Sequence, residues 1–304
     1  MLLCLYWSKL GKGIIAMIFN LTPGIIYLIA GILSLVFKGR INKLIILFVP
    51  IITFFQLQSL QTTDSFTISF LMSNLDLLRV DKLSLVFGYV FVISSFFAFL
   101  YGISFAKKYE YTSALIYIGS ALSVVFARDL ITLYIFWELM ALSSTMLILY
   151  NRTNQSFRSA LRYIIVHLVG GLILLAGIML YMHETGSIEF AQLQSQSLST
   201  WLMLIGILVN AAAIPFSSWM PDAYPQSTIM GGVILSAYTS KTAVYTLLRG
   251  FIGWDILIWL GVAMAIYGVI YGLLENNIRR VLAYSIINQV GFMVCAVGVG
   301  TPLA

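Results

Sequence analysis

Apolar residues in this chain come in long unbroken runs, not in alternating or one-sided patterns. Such runs belong to helices surrounded on all sides by lipid or protein, and about 20 residues suffice to span a bilayer. They predict helices at roughly 22–37, 41–59, 81–106, 110–127, 129–150, 157–182, 200–214, 228–249, 254–274 and 279–300. Most connections between the runs are short. The two longer ones, 61–80 and 183–199, are polar and rich in Ser, Gln and Thr, and neither reads as a soluble domain. The expected fold class is therefore all-α, a polytopic membrane protein of about ten transmembrane helices.

Single polar residues interrupt three of these runs. Glu138, in Phe136-Trp137-Glu138-Leu139-Met140, sits well inside the fifth run. A charge at mid-bilayer costs about 2.5–3.5 kcal/mol on insertion scales, so it normally faces a partner or a wet cavity and marks a functional site. At 1.5 Å per helical residue, Glu138 lies roughly 13.5 Å from Asp129 at its helix end. Lys241 lies about 12 Å from Arg249, and Asn210 about 13.5 Å from Trp201. Three polar positions on three helices thus fall near one plane. The Asn210 helix then meets Ile214-Pro215-Phe216-Ser217-Ser218-Trp219-Met220-Pro221-Asp222. Proline removes a backbone donor and clashes with the preceding turn, so a broken helix is expected here. Irregular backbone at membrane depth is tolerated only inside protein or beside water, and discontinuous helices next to buried charge surround transporter ion sites.

Each candidate has a plain structural alternative. Glu138 and Lys241 are either a static pair or a proton-handling one. Burial disfavours both charged forms and a nearby opposite charge restores them, so an ion moving past can toggle protonation. Lys241 is too far from either helix end to snorkel, and Tyr238 and Tyr245 lie within about one turn of it. His167, five residues after Arg162 and hence about 7.5 Å from that face, is either hydrogen-bonded packing or a relay, since imidazole titrates near neutral pH. Trp219 and Asp222 are suited to holding the broken helix ends. Glu275, Arg279 and Arg280 form either a solvated turn or a gating or subunit contact.

Composition and charge sharpen this picture. The 304 residues are 61% hydrophobic and 9% charged, with a net charge of +6 and a mean hydropathy of +0.98. The positive charge lies in the connections, which argues for topology, not nucleic-acid binding. Odd-numbered loops hold ten Lys/Arg, among them Lys38, Lys107, Lys108, Arg162, Arg279 and Arg280, against four in even-numbered ones (Arg79, Lys82, Arg128, Arg249). The positive-inside rule makes the odd loops cytoplasmic and the first helix begin outside, with Lys9 and Lys12 dissenting. Met17 is a plausible alternative start. Cys4 and Cys295 are too far apart to suggest a disulfide framework or a metal site. No phosphate-binding, dinucleotide or zinc motif is present, so no cofactor, metal or redox site is expected.

Four ordered blocks now carry a resemblance: Phe136–Met140, Trp219-Met220-Pro221-Asp222-Ala223, Lys241-Thr242-Ala243-Val244-Tyr245 and Glu275-Asn276-Asn277-Ile278-Arg279-Arg280-Val281-Leu282-Ala283-Tyr284-Ser285. The chain resembles the antiporter-like membrane subunits shared by respiratory complex I, membrane-bound hydrogenases and Mrp-type multisubunit cation/proton antiporters, most of all the D subunit of the Mrp type. The resemblance implies two inverted five-helix bundles, each a half-channel around a broken helix. It matches Glu138 to the family's glutamate on the fifth helix and Lys241 to a lysine on the eighth.

Two departures follow from it. The family often has a lysine five residues before the proline aligned with Pro215, where this chain has Asn210. An amide exchanges no proton at neutral pH but orients water. Either Lys241 replaces that lysine as the partner of Glu138, or this half-channel conducts poorly. The family chain also runs on past Ala304, implying a partial reading frame: 1–109 as N-terminal helices, 110–250 as the first bundle and 251–304 as the start of a second. The implied function is proton translocation or monovalent cation:proton antiport within a multisubunit complex of the cell (inner) membrane, with protons and Na+ or K+ as cargo. The alternatives are a membrane-arm subunit of a NADH:quinone oxidoreductase- or hydrogenase-type complex, and a non-transporting scaffold.

Overall fold

The helix Lys108–Phe126 forms the axis of the molecule: from Glu110 to Phe126 every side chain except that of Ile116 is buried. The computed structural model describes residues 22–37, 39–62, 64–70, 73–193 and 196–301; Cys4, Lys9, Lys12, Met17, Lys38 and Ala304 lie outside them. In chain order the helices are α1 (Pro23–Val36), α2 (Arg40–Ser59), α3 (Lys82–Gly102), α4 (Lys108–Phe126), α5 (Leu130–Leu149), α6 (Asn154–Thr185), α7 (Leu198–Asn210), a short α8 (Trp219–Ala223), α9 (Ile229–Ala237), α10 (Thr239–Gly250), α11 (Asp255–Leu274) and α12 (Ile278–Val299). Among the described residues, α2, α3, α5, α6, α11 and α12 are long and apolar enough to cross a membrane, while α1 and α7 are shorter apolar helices. The fold is thus that of a helical, polytopic membrane protein.

The predicted helices 81–106 and 200–214 end early, at Gly102 and Asn210, and three other segments differ from the sequence reading. The predicted helix 228–249 is two helices, interrupted at Tyr238 (φ −113°, ψ −63°). The predicted helix 157–182 begins at Asn154, where Thr153 and Ser156 form a capping box, and ends on Gly186 in the left-handed region (φ 67°). The 61–80 connection contains an antiparallel hairpin, β1 (Thr67–Phe70) and β2 (Ser73–Asp76), with Thr67 opposite Asp76 and Ile68 opposite Leu75. Its apolar alternation is too short to stand out among Ser and Thr. The hairpin abuts the start of α5: Asp129 accepts from the Asp76 amide at 2.8 Å, and the Arg128 amide donates to the Asp76 carbonyl at 3.1 Å.

The bundle's two ends are closed differently. At the hairpin end, Asp81 caps α3 and takes both Arg249 terminal nitrogens, at 2.8 and 3.0 Å. Arg249 also donates to the Tyr245 hydroxyl at 2.8 Å, and Arg79 donates to the Phe190 carbonyl at 2.7 Å. Burial alone would raise the Asp81 carboxyl, but the hydrogen bonds and charge of Arg249 together with the Ser84 hydrogen bonds outweigh it and bring it down to about 2. At the opposite end, the Thr228 hydroxyl donates to buried Glu110 and the Asn151 amide donates to the Gln226 carbonyl at 2.9 Å. The α11–α12 hairpin packs backbone to backbone, the arrangement small residues allow between membrane helices.

Two expectations follow. Asp81→Asn leaves the Arg249 side chain, only 4% exposed, without its counter-charge. Removing one partner of a fully buried pair costs roughly 3–5 kcal/mol, and because Asp81 is a third exposed a loss of about 2 kcal/mol is expected, read as a lower melting temperature in detergent. Since the carboxyl is depressed, this contribution is fully present above about pH 4 and fades only as pH falls through about 2, so the wild-type–variant gap stays flat between pH 5 and 8. Separately, a Cβ at Gly261 would sit 2.4 Å from the Cys295 amide nitrogen and 2.5 Å from the Gly291 carbonyl oxygen. Gly261→Ala must therefore push α11 and α12 apart, and a sharp drop in membrane-inserted protein on immunoblots is expected.

Candidate functional site

Helix α5 starts where Asp129 accepts from the Thr132 amide and hydroxyl, both at 2.7 Å. That cap fixes the register that brings Glu138 about 12 Å along the helix. Glu138 is half-buried and leans on α6. Its Oε1 is buried with no hydrogen-bond partner, and it lies 1.7 Å from where a Cβ on Gly171 would be.

His167 is one turn before Gly171, on the same face of α6. The sequence reading placed it near a membrane face, counting from Arg162. Because α6 begins at Asn154, the histidine is instead about 20 Å from the helix start and near mid-span. Arg162 lies two turns inside the helix, where it is paired with Asp222. The imidazole is buried between Tyr163 (ring centroids 4.1 Å apart) and Trp219 (4.6 Å), and its polar neighbour is the Asn210 side chain. Asn210, the last residue of α7, faces His167, and beyond that contact neither its buried amide group nor the imidazole meets another hydrogen-bond partner. Glu138, His167 and Asn210 thus place a cluster of buried, sparsely paired polar atoms around the middle of α6.

The break after Asn210 holds this arrangement. Ala212 adopts φ 55°, in the left-handed region that costs a non-glycine residue about 1–2 kcal/mol. Two short turns carrying Pro215 and Pro221 follow. The Trp219 indole donates across the gap to the Val209 carbonyl at 3.0 Å, stitching the two sides together. Asp222 is held by Arg162 through two bonds of 2.7 and 2.8 Å and by Ser159 at 3.2 Å, which ties the segment after the break to α6.

Lys241 belongs to a different compartment. Among the described residues it forms no ion pair with Glu138. Its ammonium donates to the Ser236 carbonyl at 2.7 Å, capping the last turn of α9 at the second helix interruption. It lines a cavity of about 530 Å³ with Tyr224, Thr228, Arg279, Ser285 and Gln289, to which α5, α6 and α7 contribute no lining residue. The tyrosines flanking it point elsewhere: Tyr238 donates to the Phe91 carbonyl at 2.9 Å and Tyr245 to the Val125 carbonyl. Between the compartments stand Tyr163, Trp219 and Tyr224, with Trp219 in edge contact with both tyrosines at 5.4 and 5.6 Å.

Sequence reasoning missed Thr239, whose hydroxyl is 2.5 Å from that of Tyr117 and whose amide donates to it at 2.8 Å. It also missed Tyr163, which hydrogen-bonds Ser144 at 3.0 Å, and Gly171. The first two carried a signal as polar atoms inside apolar runs; Gly171 carried none. Of the remaining candidates, Glu275 and Arg280 form a surface pair at 3.1 Å. Arg279 reaches the Pro225 and Ser227 carbonyls at 3.2 and 3.3 Å, so it joins the segment after the break and is not simply solvated.

Comparison with known proteins places this geometry. A family model described as NADH:quinone oxidoreductase/Mrp antiporter, TM, matches residues 127–304, more than half of the chain. The A subunit of the Na(+)/H(+) antiporter of Alkalihalophilus pseudofirmus is 30% identical over 246 residues, covering 73% of this chain and 31% of that protein. Hydrogenase-4 component B of Escherichia coli K12 is 27% identical over 251 residues, covering 73% of this chain and 37% of its own length. The chain spans about a third of the length of these curated relatives. A chain in the structure of the Mrp complex from Dietzia sp. DQ12-45-1b shares the fold, with a TM-score of 0.83 at 23% identity over 94% of this chain and 34% of that one. This chain, helical and membrane-spanning, belongs to the NADH:quinone oxidoreductase/Mrp antiporter transmembrane family.

Proposed function

We propose that this chain is a proton-translocating subunit of an Mrp-type monovalent cation:proton antiporter, working with other membrane subunits in the cell (inner) membrane. The observation that carries this reading is the cluster of buried, sparsely paired polar atoms on Glu138, His167 and Asn210 near mid-membrane. Buried polar groups almost always have partners, and a polar cluster of this kind is suited to holding ordered water. Water there lets a carboxylate and an imidazole pass protons, while Asn210 orients the water without titrating. A Na(+)/H(+) antiporter component among the relatives supports protons and Na+ as cargo, with K+ the alternative monovalent cation.

Lys241 is the cationic station on the other side of the aromatic wall. Its charge answers that of Glu138 across the wall, not through a salt bridge, so coupling between the two is electrostatic. Residues 110–250 form the first functional bundle and hold both stations, with 1–109 before it in the chain and 251–304 after it. The N-terminus faces outside and the Arg279 end of the bundle faces the cytoplasm, as the charge asymmetry supports.

A second reading, a membrane-arm subunit of a hydrogenase- or NADH:quinone-type complex, is favoured by the similarity to Hydrogenase-4 component B. The site would serve the same proton movement there, driven by electron transfer in other subunits. Proton flux driven by a cation gradient alone separates antiport from this reading, which instead requires an electron donor.

The test uses inverted membrane vesicles carrying the complete complex and a pH-sensitive dye. Glu138→Gln is expected to lower proton flux on the order of 100-fold, the scale of losing a positioned proton-transfer group. Lys241→Ala should lower it by at least about tenfold through the lost charge. Undiminished, still-coupled flux in both variants would refute proton handling at these residues and leave a scaffold role.

A further inference from the structure

Helix α6 carries two adjacent glycines that face different neighbours. The three atoms nearest a Cβ built on Gly170 all belong to Val209 of α7. Gly177, further along α6, would meet the Met203 amide nitrogen at 2.7 Å and the Ser199 carbonyl oxygen at 2.8 Å. Both bring α6 and α7 into contact. Gly171 differs: its three nearest atoms all belong to one carboxyl group, Glu138 Oε1 at 1.7 Å, Cδ at 2.8 Å and Oε2 at 3.4 Å. A carboxylate oxygen therefore occupies the space that any other residue's side chain would fill. Glu138 as a whole is only half-buried, yet its Oε1 is fully shielded, and the notch at Gly171 is where that oxygen lies.

We infer that Gly171 is the positioning residue for Glu138: the missing side chain admits the carboxylate against α6, one turn from His167, and keeps it off the outer flank of the bundle. This rests on the proposal that Glu138 carries protons. It adds that the effectiveness of Glu138 depends on a neutral residue to which no chemistry can be assigned. On the same α6 face, His167 and Gly171 are four residues apart, so a carboxylate seated in the notch shares its side of the helix with the imidazole.

The geometry makes the relation reciprocal, which gives a specific test. Gly171→Ala fills the notch, but the atoms in its way are the far end of a flexible side chain, so the helices need not separate. Glu138→Asp withdraws the carboxyl by one methylene and vacates the same space. The two changes together restore the fit. In vesicles with the complete complex, Gly171→Ala is expected to reach wild-type membrane abundance and to lose flux by up to about 100-fold, the scale for displacing a reacting group by about 1 Å. The double variant Gly171→Ala/Glu138→Asp should exceed Gly171→Ala alone by about tenfold or more. Labelling of Glu138 by dicyclohexylcarbodiimide, read by mass spectrometry, should rise severalfold in Gly171→Ala as the carboxyl leaves the notch, a change that loosened helix packing elsewhere would not confine to Glu138.

Unchanged flux and labelling in Gly171→Ala, or a double variant no better than Gly171→Ala, would overturn the inference. If Gly171→Ala fails to accumulate, rescue of its abundance by Glu138→Asp supports the same contact, and failure of that rescue overturns it. Glu138→Gln is run alongside. Full flux there removes the underlying proton-carrying reading, whereas loss in Glu138→Gln with full flux in Gly171→Ala removes the positioning role alone.

Discussion

Two interruptions of helical backbone at membrane depth govern this structure. Each frees carbonyl groups that water cannot reach in lipid, where an unsatisfied polar group costs several kcal/mol. After α7 the Trp219 indole meets the Val209 carbonyl, and between α9 and α10 the Lys241 ammonium meets the Ser236 carbonyl. The side chains that perform these repairs border the two polar compartments. Lys241 is held at the end of α9, where the negative pole of a helix favours a cation. Trp219 presses on His167, and the break leaves Asn210 as the last helical residue facing it.

Around these repairs the bundle is stiff where it needs to be. Caps at Asp81, Asp129 and Thr153 start α3, α5 and α6 at defined residues. The Asp81–Arg249 clamp fixes the far end of α10, and the Arg162–Asp222 pair fixes the segment after the first break. Both interruptions therefore lie between anchored ends.

Much of the architecture was legible in the sequence because lipid imposes a simple code. Long apolar runs became helices close to where hydropathy put them, and the prolines after Asn210 announced a break. The interruption at Tyr238 was hidden, since Tyr-Thr-Ser carries no breaker and the repair comes from Lys241 itself. The hairpin was hidden by its short strands. Glu138 and Lys241 stood out as charges in oil, but depth along two helices says nothing about rotation: Glu138 turns to Gly171 of α6 and Lys241 to the end of α9. His167 was misplaced because Arg162 looked like a helix end; its salt bridge to Asp222 lets an arginine sit two turns inside. Gly171 had no signal at all, because what matters there is the absence of a side chain.

Trp219 holds two positions at once. Its ring closes the side of His167 and its nitrogen joins the halves of a broken helix. The ring cannot swing aside without surrendering the Val209 bond, and a buried carbonyl that loses its donor costs about 1–3 kcal/mol. Door and latch are one residue, so opening the histidine toward the Lys241 chamber and loosening the helix break are a single event.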